Sequence, residues 1–400
     1  MPGPPPPAAT LKVGLIGCGR IARLFHLPVL SAARGARLVA VAEMDPEARA
    51  AAARAARGAR VWASDRELLN DAEVDAVVIA TPPITHADIA TRAFESGRHV
   101  YVEKPSAVTA AAAHALADLA ERGGDTNGPR TARCGLNFRH HPAVADARRR
   151  LAEGGLGRVQ AVRSVFTAAA RSLPGWKQQT ATGGGVLLDL GVHHLDLVMH
   201  LLALPIDAVA CTVEDRDAGQ EVTATMCARL CPRADAADDA DGGGPPRPPG
   251  VVFSGTYAAM TGRGENRLEI YGERGNLVID THDAAPRAPV TSPGRFARLA
   301  EAWRAARPGT LIASPWGEPS FARSLQAFID AANGGSDPHG ADLRAAAHAV
   351  DAVAAARDAA ASGRWHRVRP LGDASSGSAA LRLPDVEAPP PAVQHSDVLR

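Results

Sequence analysis

Between residues 11 and 137, short and continuously apolar runs alternate with segments of helical composition, and this alternation restricts the possible folds more than any other feature of the chain. An apolar run without polar alternation is typical of a strand that is buried on both faces. Strands that alternate with helices predict a parallel sheet with helices on both sides. The predicted strands are Leu11–Ile16, Leu38–Ala42, Arg60–Trp62, Ala76–Ala80, His99–Val102 and Cys134–Asn137.

After residue 137 the pattern changes, because strand-like runs follow one another with few helices between them. This arrangement predicts an α+β second domain built on a mostly antiparallel, open sheet. Helices are expected over Ser320–Ala332 and Asp342–Ser362. The predicted strands are Arg158–Thr167, Ala208–Val213, Glu221–Leu230, Val251–Tyr257, Arg267–Tyr271 and Leu277–Ile279.

The chain is therefore expected to contain two domains with flexible ends. The second domain is interrupted by a stretch rich in Asp, Gly and Pro, which we expect to be a disordered loop. The predicted divisions are a tail over 1–10, the first domain over 11–137, the second domain over 138–341 with the loop at 233–250, a C-terminal helix and return segment over 342–370, and a tail over 371–400.

Composition excludes several classes of partner. The net charge of +1 provides no basic field for nucleic acid or for an anionic membrane surface. The five cysteines form no C-x-x-C pair, so a reducing compartment is expected rather than a disulfide framework. The first residues lack the pattern of a signal peptide, and no run approaches ~20 uninterrupted apolar residues. We therefore expect a cytoplasmic protein with no nucleic-acid or membrane partner.

A glycine-rich turn follows the first predicted strand. Gly17, Gly19 and Ala22 match the pattern G-x-G-x-x-A between a strand and a helix, with Arg20 and Ile21 inside it. The first glycine permits the tight turn, the second lets the backbone approach a pyrophosphate, and the small third residue lets the helix pack closely on the strand. The free N–H groups at the helix start favour phosphate. Because the turn opens the first βαβ unit, it predicts a dinucleotide-binding Rossmann domain.

An acidic residue, Glu43, ends the second strand 24 residues after Gly19. A carboxylate there can accept hydrogen bonds from the ribose hydroxyls of the cofactor, and it repels a 2′-phosphate. The next residues, Met44 and Asp45, provide no cation for such a phosphate, although Arg20 is an argument in the other direction. NAD is therefore the favoured cofactor, and NADP is the alternative.

Lys104 follows the fifth predicted strand, within the segment Glu103-Lys104-Pro105. Ligands of open α/β sheets lie at the carboxyl ends of the strands. An ammonium group at this edge can stabilise the alkoxide that develops as hydride leaves a substrate carbon. The alternative is a surface lysine that pairs with Glu103.

A predicted helix from Val186 to Leu202 is apolar almost all round, apart from one polar stripe. Asp189, His193, Asp196 and His200 are spaced by four, three and four residues and so fall on one face. Because buried ionisable groups are costly unless they are paired or used, the stripe predicts the wall of a site. Asp189 can contact His193 at i+4, orient its ring and raise its basicity, which suits a general base. The alternatives are core histidines satisfied by the aspartates, or a zinc site, which lacks the H-E-x-x-H pattern.

These segments occur together in an order that resembles the glucose–fructose oxidoreductase / inositol dehydrogenase / MocA family. The resemblance covers roughly residues 11–370, and it omits the loop at 233–250 and the last 30 residues. The matching pieces are Gly17-x-Gly19-x-x-Ala22, Thr81-Pro82-Pro83 with His86, Glu103-Lys104-Pro105, Asn137-x-Arg139-x-x-Pro142, and Gly183-Gly-Gly-x-x-x-Asp189-x-Gly191-x-His193-x-x-Asp196.

The resemblance implies an NAD(P)-dependent oxidoreductase that acts on a carbinol or keto carbon of a sugar, cyclitol or sugar derivative. From the residues themselves no metal is expected. The resemblance also implies a homo-oligomer, dimer or tetramer, assembled through the second sheet. By position, Lys104, Asp189 and His193 correspond to the catalytic residues: His193 takes the hydroxyl proton, Lys104 stabilises the oxyanion, and Asp189 positions both. Residues placed by the resemblance at the cofactor are Thr81, Pro82, Pro83, His86 and Glu103, and those placed at the substrate are Asn137, Arg139, Trp176 and Lys177.

Two alternatives stay open. A non-catalytic sensor or regulator can use the same fold, because fold does not determine function. An oxidoreductase acting on a non-sugar carbonyl or a C=C bond is the weaker alternative.

Overall fold

The structure is a computed structural model that describes residues 10–122, 130–169, 174–217, 219–231, 250–262, 264–281 and 319–370. The two predicted tails and the predicted loop at 233–250 lie outside the described residues, except for Thr10 and Gly250.

The first domain contains six parallel strands in the order β3-β2-β1-β4-β5-β6. Strands β2 and β3 extend the sheet on one side of β1, and β4, β5 and β6 extend it on the other side. The crevice in which open α/β sheets bind ligands lies where the order changes sides, between β1 and β4. The predicted Rossmann fold is therefore confirmed. The strands are β1 Leu11–Ile16, β2 Ala36–Ala42, β3 Arg60–Trp62, β4 Ala76–Ile79, β5 His99–Val102 and β6 Ala132–Cys134.

The sixth strand ends earlier than predicted. After Cys134 the chain leaves the sheet, and Asn137 begins a 3₁₀ turn, Asn137–His140. The departure occurs at Gly135, where a Cβ atom would lie 3.0 Å from Oε2 of Glu103. Close packing on Glu103 therefore replaces the strand pairing that the apolar sequence suggested.

The second domain contains a seven-stranded sheet in the order β12-β11-β7-β10-β9-β8-β13. All neighbours are antiparallel except β7 and β10, so the sheet is mixed and mostly antiparallel, as predicted. The short last strand was not predicted from the sequence. The strands are β7 Val159–Ala169, β8 Ile206–Asp215, β9 Glu221–Leu230, β10 Val251–Thr261, β11 Glu265–Gly272, β12 Gly275–Asp280 and β13 His366–Arg367.

Helices cover both sheets, and two of them include π-helical turns. The first helix begins with such a turn, Ala22–His26, and the helix that carries the polar stripe begins with another, Leu187–Gly191. The α-helices are α1 Leu27–Ala32, α2 Pro46–Ala55, α3 Asp65–Leu69, α4 His86–Glu95, α5 Ala110–Glu121, α6 Pro142–Ala152, α7 Gly175–Gln178, α8 Val192–Leu202, α9 Ser320–Ala332 and α10 Leu343–Ser362.

Packing does not follow the predicted domain division at every point. Helix α9 falls within the predicted second domain, but its Leu325 and Phe328 pack with Leu15 and Tyr101 of the first sheet. The chain thus returns to the first domain before α10. Apolar side chains of both sheets also share one continuous core.

The segment Thr180–Leu202 is long and apolar enough to cross a membrane by length and composition, and 78% of its apolar window is buried inside the protein. No disulfide joins the cysteines of the described residues, which are Cys18, Cys134, Cys211, Cys227 and Cys231.

His194 on α8 lies off the polar stripe and is a core residue. Its Nε2 donates to Oδ1 of Asn266 at 2.7 Å, and its Nδ1 lies 2.5 Å from Oγ of Ser164. A neutral ring satisfies both partners, since one nitrogen donates and the other accepts. Burial lowers the pKa of His194 to about 4. The helix is thereby tied to β7 and β11 through an uncharged imidazole.

We predict that stability falls as the pH falls from 7.5 to 5. The unfolded chain binds a proton at His194 near pH 6.5, whereas the folded protein does not until about pH 4. The free energy of unfolding should therefore decrease by about 2 kcal/mol from this group. Urea unfolding of wild type and His194→Gln across this pH range measures the effect. An unchanged pH dependence in the variant would show that His194 titrates normally.

Candidate active site

A cavity of about 760 Å³ opens at the carboxyl ends of the first-sheet strands. All the predicted site residues line it except Arg139. The residues of the dinucleotide fingerprint and the residues of the polar helix thus share one space. The lining members of the predicted set are Gly17, Gly19, Arg20, Ile21, Glu43, Thr81, Pro82, Pro83, His86, Glu103, Lys104, Asn137, Trp176, Lys177, Asp189 and His193.

The glycine turn has the shape that a pyrophosphate requires. Gly17 has a φ of +88°, and a Cβ atom there would lie 2.8 Å from the backbone of Ala80. A Cβ atom on Gly19 would meet no protein atom within 4 Å. It would project into the open space beside Gly17 and Gly19, which we call the cradle. Ala22 is fully buried where the helix packs on the sheet. These residues fit the phosphates of a dinucleotide, as the fingerprint predicts.

Glu43 is held in place at the adenosine side of the turn. Its Oε2 accepts from the backbone N–H of Cys18 at 2.7 Å, and its Oε1 accepts from that of Asp45 at 3.0 Å. Each oxygen keeps further acceptor capacity for ribose hydroxyls. Asp45 caps α2 by accepting from Ala48 at 2.7 Å, and Met44 is 79% exposed. A carboxylate fixed at this position is suited to NAD.

Asp189 joins two lysines. Lys104 Nζ donates to the main-chain oxygen of Asp189 at 2.7 Å and to Oδ1 at 3.1 Å, and Lys177 Nζ lies 2.8 Å from Oδ2. Burial alone would raise the pKa of the Asp189 carboxyl, but Lys104 and Lys177 outweigh burial and hold it well below its usual value. The site therefore contains one ionised carboxylate between two ammonium groups.

The alternative in which Lys104 pairs with Glu103 at the surface is wrong. The side chain of Glu103 is buried, and its Oε1 accepts from Nε2 of His26 at 2.9 Å. Its Oε2 accepts from the backbone N–H of Lys104 at 3.1 Å. Glu103 thus fixes the backbone at Lys104 while the ammonium group points toward Asp189, in the π-helical turn that precedes α8.

His193 lies on the cavity wall and is 7% exposed, with its ring 4.6 Å from that of Phe138. Its Nδ1 has no hydrogen-bond partner in the described part of the chain. The predicted orienting hydrogen bond from Asp189 to His193 is not formed, because the carboxylate oxygens of Asp189 bind the two lysines instead. The predicted rise in basicity is present, since the charge of Asp189 raises the pKa of His193 against the larger lowering by burial. Burial lowers the pKa of His193 well below its usual value, and the Lys104 ammonium lowers it further. The ring is neutral at neutral pH and can accept a proton.

The polar stripe extends beyond the cavity. Asp196 forms a buried, two-point ion pair with Arg139, whose Nε donates to Oδ2 at 2.8 Å. His200 Nε2 lies 3.2 Å from Nη1 of Arg148. Arg139 thus pairs with Asp196 and does not line the cavity, contrary to the expectation that it contacts the substrate. Asp196 and His200 lie outside the cavity because the cavity reaches only the first turns of this helix.

Two further predicted residues contact protein groups. Asn137 Nδ2 donates to Oγ of Ser320 at 2.6 Å, which links the 3₁₀ turn to α9. His86 is buried with Nδ1 2.7 Å from the carbonyl oxygen of Pro105 and Nε2 2.8 Å from that of Thr81. Burial lowers the pKa of His86. Both ring nitrogens thus face carbonyl oxygens of the cavity wall, and a neutral ring, which carries one N–H, donates to only one of them at a time. Cofactor binding by His86 stays a prediction.

Sequence reasoning missed the residues that anchor the start of the polar helix. Glu221 Oε1 accepts from the backbone N–H of Leu187 at 2.6 Å, and its Oε2 accepts from Nε of Arg357 at 2.9 Å. A Cβ atom on Gly185 would lie 3.0 Å from Glu221 Oε1, so the glycine turn packs directly on this pair. Arg357 is 136 residues from Glu221, and no local pattern connects them.

Within the described residues, no cluster of His, Cys, Asp and Glu could hold a metal ion.

Two family models match the chain. Residues 11–128 match "Oxidoreductase family, NAD-binding Rossmann fold", and residues 144–278 match "GFO/IDH/MocA C-terminal domain". The chain belongs to the Gfo/Idh/MocA oxidoreductase family. The expected resemblance is thus confirmed, and the two matched segments fall on the two sheets.

Named members of the Gfo/Idh/MocA family are similar in sequence. Inositol 2-dehydrogenase 2 of Saccharopolyspora erythraea is 34% identical over 195 residues, which are 48% of this chain and 54% of that protein. The scyllo-inositol 2-dehydrogenase (NAD(+)) of Bacillus subtilis is 29% identical over 208 residues, which are 50% and 56%. The chain thus spans about half the length of the curated relatives it matches.

Solved structures are similar to this chain in fold over most of its length. An oxidoreductase domain protein from Kribbella flavida has a TM-score of 0.74 at 24% identity and covers 90% of this chain and 100% of its own. Levoglucosan dehydrogenase in complex with NADH has a TM-score of 0.72 at 23% identity, with coverages of 90% and 99%. At these identities the likeness shows the fold alone.

We predict that Gly17→Ala and Gly19→Ala affect different properties. Gly17→Ala should lower the Tm, because its Cβ atom collides with the backbone of Ala80. Gly19→Ala should keep the Tm and weaken NADH binding by about tenfold, because its Cβ atom fills only the cradle. Thermal melts and NADH fluorescence titrations measure both. Gly275→Ala is the control, since Gly275 also has open space around it. Wild-type NADH affinity in Gly19→Ala would contradict the cradle.

Loss of the Arg139 side chain should destabilise the protein by about 3–5 kcal/mol, because Asp196 would remain as an unpaired buried charge. Urea unfolding of Arg139→Ala measures this effect. The control is Arg149→Ala, whose ion pairs with Asp146 and Glu153 are exposed, and we expect little change there. Equal effects of the two substitutions would contradict a structural role for Arg139.

Proposed function

We propose that the protein is an NAD(P)-dependent oxidoreductase that transfers hydride between the nicotinamide and a carbinol or keto carbon of a sugar, cyclitol or sugar derivative. The observation that carries this proposal is the single cavity that joins the Gly19 cradle to Lys104, Asp189 and His193. Named relatives supply the substrate class, since they include inositol and glucoside dehydrogenases.

The residues of the chain have separable roles in this reaction. The bound nicotinamide supplies the hydride acceptor or donor. The Lys104 ammonium donates a hydrogen bond to the reacting oxygen and stabilises its negative charge. Asp189 holds that ammonium at 3.1 Å and so fixes its direction. His193, kept neutral by burial, accepts the hydroxyl proton in the oxidative direction and returns it in the reductive one.

We infer that NAD is preferred over NADP. The Glu43 carboxylate is fixed by two backbone N–H groups at the position where a 2′-phosphate would approach, so the two negative charges would repel each other. The levoglucosan dehydrogenase structure of similar fold was solved with NADH.

We also infer a cytoplasmic homo-oligomer, a dimer or tetramer, with no nucleic-acid or membrane partner. One face of the second sheet exposes Val252 (57%) beside the exposed Ser254 and Thr256. An apolar side chain at the centre of such a face suits contact with a second copy.

We predict that removing either reacting group abolishes most turnover. A screen of absorbance at 340 nm, which follows the reduced nicotinamide, identifies a substrate. It uses NAD and NADP with sugars, inositols, amino sugars and nucleotide sugars. With that substrate, Lys104→Met and His193→Gln should each lower kcat/KM by about 10²–10⁴-fold. Lys12→Met and His194→Gln are matched controls, because neither residue lines the cavity. Turnover equal to wild type in both site variants would refute these roles, and tight NADH binding without any turnover would favour the non-catalytic sensor.

Cofactor preference should depend on the charge of Glu43. We expect wild type to bind NADH more tightly than NADPH, and Glu43→Gln to reduce the ratio by about tenfold, since the amide keeps an acceptor but loses the repulsion. Fluorescence titration of both cofactors measures the ratio. Glu47→Gln, on the exposed side of α2, is the control. An unchanged ratio in Glu43→Gln would exclude Glu43 as the determinant.

A further inference from the structure

The backbone that carries Lys177 packs on the turn that precedes the polar helix. A Cβ atom on Gly184 would collide with the carbonyl group of Lys177, so residue 184 must be glycine for α7 to lie this close. Thr182 Oγ1 donates to the carbonyl oxygen of Trp176 at 2.6 Å and links the turn to α7 a second time. The Lys177 side chain therefore extends toward Asp189 from a backbone that is held in place.

Each carboxylate oxygen of Asp189 contacts one ammonium group. Oδ1 lies 3.1 Å from Nζ of Lys104, and Oδ2 lies 2.8 Å from Nζ of Lys177. His193 follows Asp189 by four residues, a spacing at which helical side chains are neighbours. Nevertheless, the buried Nδ1 of His193 has no hydrogen-bond partner among the described residues. Lys177 thus occupies the carboxylate oxygen that would otherwise be available to His193.

We propose that Lys177 is a positioning residue, which binds Oδ2 of Asp189 and so directs this carboxylate to Lys104 and withholds it from His193. This inference rests on the proposed function, in which Lys104 and His193 contact the reacting hydroxyl group. In this role Lys177 acts through Asp189 and needs no contact of its own with the substrate.

Withholding the carboxylate affects the basicity of His193. Burial lowers the pKa of His193, the two lysines lower it further, and the charge of Asp189 raises it. A carboxylate bonded directly to Nδ1 would stabilise the protonated ring more than a carboxylate that two lysines hold. His193 therefore stays neutral, and able to accept a proton, to lower pH than it would with that bond. The groups that face its ring are Lys104, Lys177, Asp189, His194, Phe138 and Phe166.

Nuclear magnetic resonance distinguishes the two arrangements without any need for turnover. An imidazole N–H that donates to a carboxylate gives a ¹H signal far downfield of the ordinary range, because the hydrogen bond is short and charge-assisted. In protein labelled with ¹⁵N-histidine, His26 and His114 are internal references, since each contacts a carboxylate. Wild type should show no such signal from His193. Lys177→Met should gain one, and adding His193→Gln to that variant should remove it, which assigns the signal.

Three further variants serve as controls. Lys177→Arg keeps a donor for Oδ2 of Asp189 and should show the wild-type spectrum, whereas Lys177→Ala should gain the same signal as Lys177→Met. Lys12→Met removes a lysine outside the cavity and should change nothing. A His193 signal that is present in wild type, or absent from both Lys177→Met and Lys177→Ala, would overturn the proposal.

The pH dependence of kcat/KM provides a second measurement once a substrate is known. In the oxidative direction, the acid limb should lie about one pH unit higher in Lys177→Met than in wild type, because the Asp189 carboxylate then raises the pKa of His193. Lys12→Met should keep the wild-type profile. An acid limb that stays in place would contradict the proposal. Absence of turnover on every substrate would instead refute the proposed function, and the His193 spectrum would still decide which groups Asp189 binds.

Discussion

The carboxylate of Asp189 lies between two ammonium groups, and the geometry of the site depends on this contact. Asp189 is on a helix of the second domain, whereas Lys104 follows a strand of the first. Their hydrogen bonds therefore join the two halves of the cavity wall. Because the ion pair is largely withdrawn from water, it is stronger and more directional than a surface pair.

The position of Asp189 is in turn fixed by groups outside the cavity. Its helix begins with a π-helical turn, whose first N–H group donates to Glu221 of the second sheet. Arg357 from α10 balances that buried carboxylate. At the other side of the cavity, Glu103 and His26 fix the backbone from which Lys104 extends. Two acid–base pairs outside the cavity thus support the pair of Lys104 and Asp189. Loss of one support would displace the Asp189 carboxylate, and loss of the other would displace the Lys104 ammonium.

Periodicity and glycine chemistry made the first sheet, the cradle and the polar helix predictable. Gly17 and Gly19 act through backbone shape, which local sequence determines, and the four polar positions of the helix follow from its period. Spacing could not reveal which partner each polar group chooses. Asp189 pairs with two lysines and not with the histidine one turn away. Asp196 pairs with Arg139, which was predicted to line the pocket. Such choices depend on residues that are distant in sequence, as does the return of α9 to the first sheet.

A crystal structure of the protein with NADH tests the account most directly. We expect the pyrophosphate at Gly19, the adenosine ribose at Glu43, and the nicotinamide ring at the end of the cavity where Lys104 and His193 converge. A nicotinamide bound elsewhere, or side chains of Lys104 and His193 that open into separate spaces, would contradict it.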